Sequence, residues 1–288
     1  MQSRSTRIDD ALSSMGEGLI ELGWLEHGDP DAPQTILCIH GLTRNAHDFD
    51  MLAERLARRA RVIAVDMVGR GRSSWLDDPR GYAVPNYARH ILTLLDTLGI
   101  DEVDWIGTSM GGLIGMAVAG MEDRGVARRV RRLVLNDVGP FVPKNALSAI
   151  ADYLGFDLRF ATLEELEAHL RAIHAGFGPL TDDQWRHLAL HGGRRDGTQW
   201  RLHYDPAIRI PFAESAAEDV DSWPFYDRVT CPTLVLRGAR SPLLGAATAE
   251  EMSRRGPKAK ILTFDGIGHA PALMAADQIE AVSRYLAG

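Results

Sequence analysis

Cysteine is scarce in this chain of 288 residues: there are two, Cys38 and Cys231, far apart and without C-x-x-C spacing. A disulfide framework and a thiolate metal centre are both excluded on that ground. Long apolar runs are lacking too. The longest run of apolar residues and glycine, 111–121, is too short to span a bilayer, and residues 1–10 are polar, without the apolar stretch of a secretory signal. The expectation is a cytoplasmic protein with no membrane partner. Positive charge is in deficit, with 32 Lys and Arg against 39 Asp and Glu and a net charge of −7, so phosphate backbones meet no general attraction and no nucleic-acid partner is expected. Arginine clusters at 58–61 and 128–132 precede expected strands and read as solvated helix ends and linkers. What is present is 45% hydrophobic and 25% charged residues, which suits a sizeable core and rules out a disordered or fibrous chain.

Short β-branched or aliphatic runs recur at 35–39, 61–65, 103–106, 133–135, 233–237 and 260–264, most of them followed by helix-length segments. That alternation predicts an α/β fold whose mostly parallel sheet is covered by helices on both faces. Residues 18–26, closed by a turn rich in Gly, Asp and Pro, read as one or two edge strands and an antiparallel start to the sheet. The rhythm breaks once. Residues 136–232 hold no convincing buried strand but show helical patches at 147–154, 163–175 and 182–190. A loop of that length without structure is implausible, so an inserted helical unit is expected. The domain reading is a core in two parts, 1–140 and 227–288, with a helical cap at 141–226.

Gly107-Thr108-Ser109-Met110-Gly111 matches G-x-S-x-G between an expected strand and an expected helix. A serine held on so tight a turn has strained backbone angles and close backbone neighbours, which is why its flanking positions are glycine. Ser109 then sits at a helix N-terminus, where free N–H groups and the helix dipole favour the negative charge of a carbonyl oxygen under attack. A serine hydroxyl needs a base at neutral pH, and Gly266-Ile267-Gly268-His269 offers His269 directly after the last expected strand. The Met110 N–H is one candidate oxyanion donor. Leu42, in the glycine turn Ile39-His40-Gly41-Leu42, supplies the second, with His40 bracing the loop.

With Asp66-Met67-Val68-Gly69-Arg70-Gly71-Arg72-Ser73, similar to a D-x-x-G-x-G-x-S turn, these motifs resemble the α/β-hydrolase family along nearly the whole chain. The resemblance implies an eight-stranded sheet with a helical cap, and acyl transfer to water through a serine ester. Family members most often carry the triad acid in a segment resembling L-R-G-x-x-S-D, but this chain reads Leu236-Arg237-Gly238-Ala239-Arg240-Ser241-Pro242. Proline has no ionisable group and cannot orient a histidine. Some relatives, part of the haloalkane dehalogenase group among them, carry the acid one strand earlier, where this chain has Asp137. Three arrangements stay open: Asp137 as the acid, a Ser109–His269 dyad, or an inactive descendant.

The leading expectation is a cofactor-independent serine hydrolase acting on an ester, lactone or related small acyl compound with an apolar portion. The resemblance also admits C–C bond hydrolysis and haloperoxidase chemistry, while dehalogenation is disfavoured because those relatives place Asp at the elbow. A slow ligand-binding relative and an interaction protein using an exposed cap are the competing classes. Aromatics concentrated in 141–226 suit an apolar pocket. Arg201, His203 and Asp205 are candidates for holding a substrate carboxylate there, and Arg194-Arg195-Asp196-Gly197 reads as an exposed turn. His187 and His191 stand i, i+4 on an expected helix, but no third ligand follows at a useful spacing, so no metal is expected.

Overall fold

Eight strands form one sheet in the computed structural model, which describes residues 1–10 and 18–288. The main-sheet strands are β1 (Gln2–Asp9), β2 (Leu19–His27), β3 (Thr35–Ile39), β4 (Arg61–Val65), β5 (Val103–Thr108), β6 (Val130–Asn136), β7 (Thr233–Gly238) and β8 (Lys260–Phe264), in spatial order β1-β2-β4-β3-β5-β6-β7-β8. β1 and β2 pair antiparallel, β2 meets β4 antiparallel, and every later pairing is parallel. The parallel strands run buried on both faces, as their continuous apolar sequences require. Along β3 the two-residue period sends Leu37 and Ile39 to one core with Trp105, and Ile36 and Cys38 to the other with Ile106. Helices α2 (Val84–Thr97) and α3 (Met110–Ala119) cover the first face; α1 (Asp50–Leu56) and the C-terminal helix Ala276–Ala287 cover the second.

β1 was not expected from its sequence. Seven of its eight residues are polar or charged and Ile8 alone is buried, which is how an edge strand avoids pairing with other chains. Arg131 and Arg132 are not in a linker: both lie on β6 and reach Asp104, which is fully buried and also takes a hydrogen bond from Gln34. A buried carboxylate persists only with such partners.

Between β6 and β7 come α4 (Lys144–Ala151), α5 (Leu163–Ile173), α6 (Asp182–Gly192) and α7 (Arg209–Ser215). Thr162 caps α5 through Oγ and the Glu165 N–H, and Thr181 with Gln184 makes a capping box on α6, so these starts are written locally. The insertion also contains β structure. Gly193–Asp196, expected as part of a turn, pairs with Gln199–Leu202, which pairs in turn with Arg159–Phe160. Segments this short take up strand pairing through their packing rather than through a local pattern.

The turn at Ser109 is fixed by backbone contact. A Cβ on Gly111 would lie 2.1 Å from the Ile39 carbonyl oxygen, and one on Gly107 would lie 2.2 Å from the Gly111 carbonyl oxygen. Helix α3 thereby rests directly on the end of β3. Gly111→Ala is expected to lower stability by at least about 3 kcal/mol in urea melts, since backbone must move to admit the methyl. Gly245→Ala, which meets nothing within 4 Å, should stay within about 1 kcal/mol of wild type in the same assay.

Candidate active site

The ends of three parallel strands place three side chains in a line. Ser109 follows β5 with φ 51° and ψ −116°, a conformation that exposes its hydroxyl at the start of α3. Asp137 follows β6 with φ 56°, a region that aspartate tolerates better than most residues. His269 lies in the loop after β8. Its Nε2 is 2.9 Å from Ser109 Oγ and its Nδ1 is 2.7 Å from Asp137 Oδ2. The other carboxylate oxygen, Oδ1, accepts the Gly238 N–H at 2.8 Å, so Asp137 joins the ends of β6 and β7 and aims at His269 together. Asp137 is fully buried. An imidazole held between a hydroxyl and a carboxylate can take a proton from the first while the second stabilises the cation that forms.

Beside this line runs the loop after β3. His40 Nδ1 donates to the Gly41 carbonyl at 2.7 Å, and Nε2 accepts the Met67 N–H at 3.0 Å, so a single neutral tautomer satisfies both. Burial drives the His40 pKa down from 6.5 to about 4. Arg70, also fully buried, donates to the Leu42 carbonyl, the Val68 carbonyl and the Tyr87 hydroxyl. Asp66 Oδ1 accepts the Ala46 N–H, and Arg72 binds Oδ2. The sequence 66–73 thus works as a brace: it fixes the backbone that carries Leu42. Among the described residues, neither the Leu42 nor the Met110 N–H donates to another protein group. Both residues border the same cavity as Ser109.

A sequence model of the alpha/beta hydrolase fold matches residues 34–274. The chain belongs to the α/β-hydrolase family. It is 42% identical to a 3-hydroxybutyrate-oligomer hydrolase of Cupriavidus necator, over 99% of both chains. It is 30% identical to a 2-(acetamidomethylene)succinate hydrolase of Mesorhizobium japonicum, over 81% of both. Among solved structures, a Rickettsia typhi protein superposes with a TM-score of 0.92 at 31% identity, covering 100% of this chain and 99% of that one. This α/β hydrolase is an enzyme of the hydrolase class.

The cavity of the hydrolase has a volume of about 480 Å³ and lies between the core and the insertion. Among the described residues, no charged side chain borders it. Core residues such as Tyr82, Tyr87 and Leu113 face Ile150, Phe212 and Phe225 of the insertion. Of the aromatics expected to serve the pocket, Phe212 and Phe225 reach it; Trp185 packs with Leu188 and Met274 in a separate cluster. Tyr87 on α2 and Tyr82 just before it were not anticipated as pocket wall, since nothing local marks a core helix and its lead-in as one, and the bracing role of Arg70 depends on partners that only the fold brings near.

The expected carboxylate-binding group is corrected. Arg201 is held by Asp157 at 2.5 Å and Asp196 at 3.1 Å, on the hairpin of the insertion, and does not border the Ser109 cavity. Asp205 instead accepts the Tyr82 hydroxyl, and His203 borders a different cleft. His47 and Asp50, from a segment distant in sequence, lie against His187 and His191. No helix among the described residues is long and apolar enough to cross a membrane.

The depressed His40 pKa carries a sign. As pH falls below about 6.5 the unfolded chain binds a proton there that the folded chain refuses until about pH 4, so stability drops through that window and the loss is complete below it. The contribution of His40 alone is on the order of 3 kcal/mol. His40→Gln should flatten the dependence of unfolding free energy on pH between 6.5 and 4, whatever its stability at pH 7; an unchanged slope would contradict the buried neutral imidazole.

Proposed function

We propose that this hydrolase is a cofactor-independent serine esterase that cleaves short ester-linked hydroxyalkanoate oligomers through an acyl-enzyme on Ser109. The observation that carries the reading is the unbroken relay from Ser109 Oγ through His269 to Asp137. Ser109 Oγ attacks the ester carbonyl while its proton passes to His269 Nε2. The oxyanion so formed accepts hydrogen bonds from the Leu42 and Met110 N–H groups. The tetrahedral intermediate collapses, the C–O bond to the alcohol breaks, and His269 returns the proton to the departing oxygen. A water then repeats the sequence on the acyl-enzyme, with His269 as base, and frees the acid and Ser109. Asp137 holds the imidazole in the productive tautomer throughout.

Residues 141–226 act in this reading as a cap on a core formed by 1–140 and 227–288. The substrate class rests on two supports. The relative identical at 42% over nearly its whole length is a 3-hydroxybutyrate-oligomer hydrolase. The cavity beside Ser109 is apolar and uncharged, which suits an acyl chain of methyl-bearing repeats and keeps a terminal carboxylate outside.

Hydrolysis of p-nitrophenyl butyrate and of 3-hydroxybutyrate dimers and trimers by wild type, Ser109→Ala and Asp137→Asn tests the proposal. Ser109→Ala should abolish turnover and labelling by a fluorophosphonate. Asp137→Asn should keep the fold and lose about 10⁴ in kcat, the cost of presenting the wrong tautomer. Full activity in Asp137→Asn would instead favour a Ser109–His269 dyad. Turnover of diketones but not of esters would move the reaction to C–C bond hydrolysis.

A further inference from the structure

Four imidazoles surround one carboxylate where α6 of the insertion meets the loop after β3. His47 Nδ1 lies 2.7 Å from Asp50 Oδ2, His187 Nε2 lies 3.4 Å from the same oxygen, and His27 Nε2 lies 3.9 Å from Asp50 Oδ1. The His191 ring stacks on that of His47 with centroids 3.6 Å apart. One ligand atom each from His47, Asp50 and His191 lies within 4.8 Å of the other two. His187 and His191, one helical turn apart, share the face of α6 that is turned to the core.

Hydrogen bonding alone does not account for this cluster. Asp50 Oδ1 and His27 Nε2 are buried and make no hydrogen bond. These two atoms face each other only at 3.9 Å, too long for a hydrogen bond, and a cation beside Asp50 offsets the cost of burying them so weakly paired.

We propose that His47, Asp50 and His191 bind one divalent transition-metal ion of the Zn²⁺ type, which clamps the insertion to the loop after β3. Two imidazoles and one carboxylate form a borderline donor set that suits Zn²⁺, Co²⁺ or Ni²⁺ and is poor for Mg²⁺ or Ca²⁺. A tetrahedral ion with bonds of about 2.0–2.1 Å wants donor atoms about 3.4 Å apart, so on binding the ion replaces the His47–Asp50 hydrogen bond of 2.7 Å, that pair opens slightly, and His191 closes on both. The His191 ring turns off the His47 face as it does so; its outer torsion is broad and lets it turn cheaply. A water fills the fourth position.

The surroundings fit that role. His187 donates from Nε2 to the His47 carbonyl at 3.1 Å, and Asn45 Nδ2 donates to the His191 carbonyl at 2.8 Å, so the two ligand-bearing segments are already tied. A cleft of about 130 Å³, bordered by His47, His191 and His203, gives the ion a path from solvent, and none of its lining residues borders the Ser109 cavity. Arg72 on its wall is neutralised by Asp66 at 2.7 Å.

The test is equilibrium dialysis of the untagged, chelator-stripped full chain against Zn²⁺ and Co²⁺. One ion per chain with a dissociation constant in the micromolar range or below, visible absorption of tetrahedral Co²⁺, and a higher Tm are expected. His191→Gln and Asp50→Asn should each weaken binding at least tenfold, His187→Gln less, and Ser109→Ala not at all, so the result stands apart from the esterase assignment. If the ligand variants do not fold, the imidazole resonances of wild type decide: Zn²⁺ should shift those of His47 and His191. No stoichiometric binding, binding indifferent to His191→Gln and Asp50→Asn, or shifts confined to other histidines would each overturn the site.

Discussion

Everything at the Ser109 end of the sheet depends on the two-handed use of the Asp137 carboxylate. One oxygen takes the Gly238 N–H and the other faces His269 Nδ1, so a single side chain fixes the spacing of β6 and β7 and the direction of the imidazole. A carboxylate that is fully buried is tolerable only when both oxygens are paired, and here each partner is supplied by a different segment. The left-handed backbone at Asp137 and the strained backbone at Ser109 persist because the flanking strands are locked in the sheet. Strain at the site is carried by the stability of the core beneath it.

The loop after β3 is held by the opposite kind of chemistry. His40 and Arg70 are buried polar groups whose hydrogen bonds go to backbone, the Tyr87 hydroxyl and the Met110 sulfur, and among the described residues no carboxylate is paired to the guanidinium. A hydrogen bond from the charged Arg70 is worth about 1.5–3 kcal/mol and one made by the neutral His40 about 1 kcal/mol, so their combined effect is rigidity in the short stretch that carries Leu42. Under the proposed mechanism that rigidity has a use: an oxyanion donor already in place adds no reorganisation when charge develops.

Strands β3 to β8 were legible because parallel strands are buried on both faces and write themselves as apolar runs; the G-x-S-x-G turn was legible because close backbone approach at Gly107 and Gly111 admits no side chain. The position of Asp137 beside His269 was not, since 132 residues separate them and only the completed sheet brings β6 and the loop after β8 together. Pro242 in the more usual acid position left the choice open at the level of sequence. β1 was missed because an exposed edge strand carries almost no apolar signal, and the hairpin of the insertion was missed for a related reason: its pairing is set by what packs on it. Arg201 shows the converse error. Placing an arginine near aromatics in sequence says nothing about its partners, and Asp157 and Asp196 had already claimed it.

The same long-range logic joins the two sites. Ser109, His269 and Asp137 gather at the ends of strands, while His47, Asp50, His187 and His191 gather where α6 of the insertion docks on the loop after β3. That docking loop begins at Gly41 and Leu42, and its later residues Asn45 and His47 receive the insertion. The insertion's share of the cavity wall comes from other elements, Leu147 and Ile150 on α4 and Phe212 on α7 among them, and no described residue of α6 borders the cavity. Among the described residues the cavity offers hydroxyls, those of Tyr82, Tyr87, Ser215 and Ser222 beside Ser109, but no charge, so under the proposed function orientation falls largely to the shape set between core and insertion. Under that reading, a change in how core and insertion pack alters the cavity shape while leaving the hydrogen bonds among Ser109, His269 and Asp137 in place.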